Sequence, residues 1–469
     1  MENRSNNSDL KREVGLFSAF ILVVANIIGT GIFTTSGFII KELGNPQSML
    51  LCWFLGGLFA LSGALCYGEL GAIFPRAGGE YVFLRESFGR GVAFLSGWIS
   101  LIVGFSAPIA AASIAFATYL LPTLPGSLNP TITIQCFSIN ILTISPITGL
   151  AIAIIIILSF IHYHGLFFGT VIQNSLTIFK VTVIIGLIVA GFSFGNGSLT
   201  NLSEGLNLKS ILTDKFAISL IFISFAYSGW NAAAYLGSEI KDPTRNIPLS
   251  LFCGTFFVMG LYLLLNILYI YALPVEEMSG VLEVGNLAAV SLFGDHVSKY
   301  FTVAIAIGIL SALSAMIMTG PRVYYAMSRD GVFFKLFSKV SNIHRTPAHS
   351  IFLQAGIAVL MVITASFYKL LLYIGFTLAL FSMITVIGMI VLRIKEPFLE
   401  RSYRTFGYPI TPLLFISGNL WIIYFSIKSK PIISLFGIGT IGLGFLLYLY
   451  FMIRNKNSEK ELRQKPVKN

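Results

Sequence analysis

The stretch NIIGTGIFT, Asn26 to Thr34, lies inside an apolar run that extends from Val14 to about Ile40. It sets two glycines and two threonines where a membrane-spanning helix should be continuous. Glycine lowers helix stability and opens other backbone angles. Backbone that leaves the helix in a bilayer core finds no partner in lipid, so protein or a bound polar solute must supply one. A second stretch, FAYSGWN from Phe225 to Asn231, interrupts the run from about Leu212 to Ile240 in the same way. Taken alone, Gly29 and Gly31 fit close helix packing. Two breaks at corresponding places point instead to a pair of discontinuous helices around a bound solute.

The rest of the chain supplies the setting. Of its 469 residues 55% are apolar and 11% charged, and between Gly91 and Ser203 the one charged side chain is Lys180. Apolar runs of this length and frequency mark an integral membrane protein. At about 20 apolar residues per helix, twelve spans are expected, beginning near Val14, Met49, Gly91, Pro146, Leu166, Leu212, Leu249, Ser298, Ser350, Leu370, Pro412 and Pro431. The expected organisation is an all-α bundle. Residues 1–13 form a short leading segment, 14–195 and 212–393 two five-helix repeats of opposite topology, 411–453 two further helices and 454–469 a basic tail. Spans 1 and 6, the broken ones, are the corresponding members of the two repeats.

Lysine and arginine give the orientation. With both termini on one side, 23 of the 31 fall on that side and seven on the other, with Lys180 in the membrane. Basic residues collect on the inner side, so both termini are expected in the cytoplasm of a multi-pass protein of the cell membrane, plasma or prokaryotic. The net charge of +11 then reads as inner-surface retention rather than nucleic-acid binding. The chain has no HExxH, no GxSxG and no cofactor motif, which argues against a membrane enzyme. Its polar positions gather at one depth rather than in rings, which argues against a channel. His162 and His164, two residues apart, do not share a helix face and make no metal pair. The four cysteines show no paired spacing.

Several motifs in order carry a resemblance. They are ANIIGTGIF, GALCYGELGAIFPRAGGEYVFLRESFG (Gly63 to Gly89), IQNSLTIFK (Ile172 to Lys180), FAYSGWN, EIKDPTRNIP (Glu239 to Pro248) and TGPRVYYAMSRDG (Thr319 to Gly331). Together the chain resembles the amino acid, polyamine and organocation transporter superfamily over residues 14 to about 395, and most closely its L-type amino-acid branch. The resemblance implies the inverted-repeat fold of the bacterial leucine transporter, with an amino-acid site at mid-membrane. A zwitterion leaving water loses several kcal/mol per ion unless both charges are paired. Free amides at Thr30 and Gly31, at the positive end of the second half-helix, suit the carboxylate. Carbonyls of Ile27, Phe225 and Ser228 suit the ammonium, and glycine at 29 and 31 would let the ligand approach the backbone. The resemblance assigns these positions to the α-carboxylate and α-amino group.

Phe225 matches the aromatic residue that closes over substrate in the family, and Phe376 falls near its pocket wall. Asn231 is placed to bond either substrate or freed backbone. With no acid inside the break, a neutral amino acid is favoured. A transporter-like sensor and a permease for cationic amino acids or polyamines stay open. Lys180 lies about fifteen residues into its span, too deep to snorkel to either surface. In sodium-independent members of the superfamily a lysine here stands where relatives hold sodium, between spans 1 and 8, and Ser311 and Ser314 lie near the expected place. Coupling to protons or exchange of amino acids is then expected. Glu69, Glu80, Glu239, Arg245 and Arg322 are candidates for an inner gate. Cys136 falls in the loop where the L-type family attaches a heavy chain by a disulfide. The sequence around it does not match, so no heavy-chain partner is expected.

Overall fold

Helix starting at Leu16 ends at Ile27, and a new helix runs from Gly31 to Leu43. Ile28 leaves helical angles, with ψ at 83°, and the chain re-enters the helix two residues later. The second half stops at Gly44, which takes the left-handed conformation, φ 63°, that a residue without Cβ tolerates at a helix end. Asn45 then accepts from the Ser48 amide at 2.8 Å and Pro46 opens the next helix, the capping pattern expected at a helix start. The computed structural model describes residues 10–464 except 122–131, 137–138, 204, 206–212, 342, 365–366 and 430.

Among the described residues ten helices are long and apolar enough to cross a membrane. They are Leu16–Leu43 counted across its break, Pro46–Ile73, Arg90–Leu120, Pro146–Tyr163, Phe167–Phe194, Pro243–Ala272, Lys299–Arg329, Thr377–Lys395, Ile410–Ser429 and Ser434–Arg454. The two further spans expected from sequence fall short. Ala348–Thr364 has 17 residues. The sixth is broken, so that Asp214–Ala226 is followed by a turn and by the single helical turn Ala232–Tyr235. Between Tyr235 and Pro243 the chain forms no helix. Leu236 pairs with Ala77, and Ile240 pairs with Val14 in a parallel bridge.

Two local features depart from a plain helix bundle. The β-branched stretches Ile132–Cys136 and Ile139–Ile144 form an antiparallel hairpin. The helix that begins at Arg90 passes through a π-helical segment, Ser100–Ser106, before continuing to Leu120. Such wide turns occur often at functional sites.

The first half-helix is the axis of the bundle. It packs on Pro243–Ala272, Asp295–Thr319 and Leu166–Phe194, and Ala19 and every residue from Ile21 to Ile27 are buried. By contrast Pro431–Gln464 leaves Ile432, Leu435, Phe436 and Leu446 exposed, an apolar outer surface suited to lipid.

Candidate functional site

The two breaks touch. A Cβ added to Gly31 would stand 2.5 Å from the Ala226 Cα and 2.7 Å from its Cβ, and one added to Gly229 would stand 2.8 Å from the Asn26 Cβ. Gly229 also takes φ 95°, which favours glycine. Tyr262, from Pro243–Ala272, locks the junction: its hydroxyl donates to the Ile27 carbonyl at 2.8 Å and to the Ala226 carbonyl at 3.1 Å. One phenol, its single proton shared between the two carbonyls, thus bridges the ends of both first half-helices.

This geometry corrects the reading of the glycines. Gly31 has no open space before it; the missing side chain admits the backbone of the other break. A Cβ on Gly29 would meet the Ala312 Cβ at an ordinary 3.5 Å. The carbonyl acceptors are also partly taken. Ile27 accepts from the Gly29 amide at 2.8 Å as well as from Tyr262, and Phe225 accepts from the Ser228 amide at 3.0 Å. Among the described residues the Thr30 and Gly31 amides donate to no protein acceptor, and they open a thirteen-residue helix whose dipole favours an anion there.

A cavity adjoins this junction. It is lined by Asn26, Ser228, Gly229, Trp230 and Asn231 from the breaks, Ser100, Gly104 and Phe105 from the π-helical segment, and Glu80. Leu378, Ala379 and Ser382 close one side, and Phe415, Asn419 and Ile422 of Ile410–Ser429 another. Of the residues expected to contact a ligand, Ser228 and Asn231 lie on this wall. Ile27, Gly29, Thr30, Gly31 and Phe225 are buried or half-buried beside it without lining it. Phe376 lies in Phe367–Lys395, but its side chain is outside those described.

Asn231 bonds neither freed backbone nor open space. Its amide donates to Glu80 Oε1 at 2.9 Å and to the Tyr235 hydroxyl at 3.4 Å, and the Tyr67 hydroxyl donates to the same Glu80 oxygen at 2.7 Å. Glu80, expected in a gate, is therefore a carboxylate at the cavity wall. It sits in the connection between Pro46–Ile73 and Arg90–Leu120, and burial, only partly offset by these two hydrogen bonds, pushes its pKa up to about 7.

Lys180 is 1% exposed. Its ammonium donates to the Ala25 carbonyl at 3.2 Å and to the Ile28 carbonyl, the last turn before the first break. Gly308 leaves room for its stem, since a Cβ there would stand 3.2 Å from Lys180 Cγ. The lysine thus ties its own helix, the broken helix and Asp295–Thr319 together. Ser314 is engaged elsewhere, 2.8 Å from His162 Nε2, and the Ser311 hydroxyl is buried without a partner among the described residues.

At the end of the bundle that carries Val14, the gate candidates separate. Glu239 and Arg322 form a bidentate pair at 2.8 and 3.0 Å, both side chains nearly inaccessible. Glu69 instead meets Arg393 at 2.9 Å and Arg401 at 3.5 Å, partners from a part of the chain that the motifs did not cover. Arg245 is exposed. The Glu13 and Val14 amides donate to the Glu239 carbonyl at 2.9 Å, and Arg12 donates to the Ile240 carbonyl at 2.7 Å. Residues 12–14 are thereby laced across the end of the broken sixth span.

A family model described as amino acid permease matches residues 14–461. The b(0,+)-type amino acid transporter 1 of Homo sapiens is 28% identical over 469 residues, covering 98% of this chain and 92% of that protein. The large neutral amino acids transporter small subunit 2 of Mus musculus is 28% identical over 94% of this chain and 81% of its own. The Asc-type amino acid transporter 1 of Homo sapiens is 28% identical over 92% and 80%.

Proposed function

The chain belongs to the amino acid permease family, in the L-type branch of its superfamily, and on that premise we propose that it is a secondary amino-acid permease moving small or neutral L-amino acids by alternating access. The observation that carries the reading is the junction of two interrupted helices beside one cavity lined with polar groups. The Thr30 and Gly31 amides receive the α-carboxylate, and the Phe225 and Ser228 carbonyls receive the ammonium, joined by the Ile27 carbonyl when it gives up its bond from Gly29 or Tyr262. Ser228 and Asn231 face the rest of the substrate, and Phe225, beside the cavity, closes over it. The reading takes twelve spans, in two inverted five-helix repeats plus two, with both termini in the cytoplasm on the bias of lysine and arginine.

Lys180 takes the role of a bound cation. Its ammonium on the carbonyls of the first half-helix does what a sodium ion would do there, so transport is sodium-independent and runs by proton symport or amino-acid exchange. The Glu239–Arg322 pair, with Glu69 and its arginines nearby, closes the inner side. A cavity-wall carboxylate also favours a second reading, a permease for cationic amino acids or polyamines. No heavy-chain partner is part of either reading. The test is counterflow of a radiolabelled neutral amino acid in proteoliposomes, with neutral and cationic amino acids and polyamines as competitors. Exchange competed by neutral amino acids supports the first reading, competition by cations alone supports the second, and binding without exchange leaves a sensor.

A further inference from the structure

Among the described residues three carboxylates, Glu69, Glu80 and Glu239, are buried. Two of them hold arginines, Glu239 with Arg322 and Glu69 with Arg393 and Arg401. Glu80 forms no ion pair among the described residues. The charged groups around it are committed elsewhere: Arg85, one turn along its own helix, to Glu86 and Asp330, and Arg322 to Glu239. The groups that face it are uncharged, namely Tyr67 from Pro46–Ile73 and Asn231 from the sixth-span break, with Tyr235 behind Asn231. Both hydrogen bonds fall on Oε1, and among the described residues none reaches Oε2. A buried carboxylate without a cation is costly, and it relieves the cost by taking a proton or a cationic ligand.

We propose that Glu80 binds the proton that moves with each amino acid, at its unbonded Oε2 on the cavity wall. The inference rests on the transport reading and names its coupling ion. The proton comes from water on one side, adds to the carboxylate, and returns to water on the other side, with no other bond made or broken. Asn231 gives the coupling a physical route. Its bond to Glu80 is charge-assisted and stronger while the carboxylate is ionised, so protonation loosens the tie between the helix of Glu80 and the break. Burial places that exchange near neutral pH, at about 7.

The experiment uses proteoliposomes carrying a pH-sensitive dye inside. In the unmodified protein, uptake of neutral amino acid should rise with an inward proton gradient, be accompanied by internal acidification, and show an inflection near pH 7 in its rate. Glu80→Gln, which keeps an acceptor for Tyr67 and Asn231, should flatten the pH profile and abolish the response to the gradient, and Glu80→Asp should restore both. An unchanged inflection in Glu80→Gln overturns the proposal. So does uptake by the unmodified protein without internal acidification, a result that needs no variant. Competition by lysine that is lost in Glu80→Gln, with the pH profile intact, would assign the carboxylate to a cationic substrate instead. Normal counterflow without proton movement fails this inference alone, whereas absence of counterflow fails the transport reading beneath it.

Discussion

Lys180 and Tyr262 both end on carbonyls that a broken helix leaves without helical partners, and they do so from outside the breaks. The lysine was legible because a charge at mid-span in a 113-residue stretch without another has no bland account. Tyr262 was not, since one of 19 tyrosines in an apolar run carries no signal until its hydroxyl is seen between two carbonyls. We expect Lys180→Met to reduce net uptake by about tenfold or more, a bond to a charged group being worth about 1.5–3 kcal/mol, with a smaller loss of folded yield by size exclusion. Full activity in that variant would leave packing as its role. Tyr262→Phe should cost about 1 kcal/mol in thermal unfolding, the net value of a buried hydrogen bond, and an unchanged midpoint would show the bridge to be idle. Glu80 adds a pH dependence. Unfolded, it releases its proton near 4.5; folded, it holds it to about 7. Its contribution to stability is therefore complete below pH 4.5 and is lost as pH rises through 7. Thermal midpoints from pH 5 to 8 should fall less steeply in Glu80→Gln than in the parent, and parallel slopes would contradict the assignment.

Among elements, the breaks themselves were readable because glycine, serine and asparagine in an apolar run have few structural excuses. What they do for one another was not. Gly31 and Ala226 meet across a sequence gap that no local pattern reports, so the space before Gly31 looked like room for a ligand. The structure predicts a difference between two neighbouring glycines. Gly31→Ala forces Ala226 away and should cost about 1–3 kcal/mol, as overpacking does, whereas Gly29→Ala makes an ordinary contact with Ala312 and should be tolerated. Equal thermal midpoints for the two variants would contradict the packing described. The shortened second half of the sixth span was likewise hidden: the expected run reached Ile240, but Leu236 and Ile240 pair with residues 77 and 14 instead of continuing a helix. Glu239→Gln leaves Arg322 buried and unpaired, a loss of about 3–5 kcal/mol, while Glu239→Leu with Arg322→Met should recover most of it. A double variant no better than the single one would mean that the pair holds this end of the bundle by more than electrostatics.

For the whole molecule, composition and motif order were enough to recognise a membrane protein of the amino acid permease family, because hydrophobic length and charge bias act over tens of residues. The cavity was harder. Its walls include Ile410–Ser429, which lies beyond the motifs that carried the resemblance although the family model reaches residue 461, and Glu80, whose motif looked like a gate. Topology can be checked in a cysteine-free background: single cysteines at Gly205 and Ser338 should label from opposite faces, and labelling of both from one face would break the twelve-span arrangement. The central claim is that paired breaks held by an internal ammonium move an amino acid without sodium. It is tested most directly by counterflow of labelled neutral amino acid into proteoliposomes in sodium-free buffer, compared with the same vesicles in sodium. The account predicts equal, protein-dependent accumulation in both, and accumulation that appears only with sodium would contradict it.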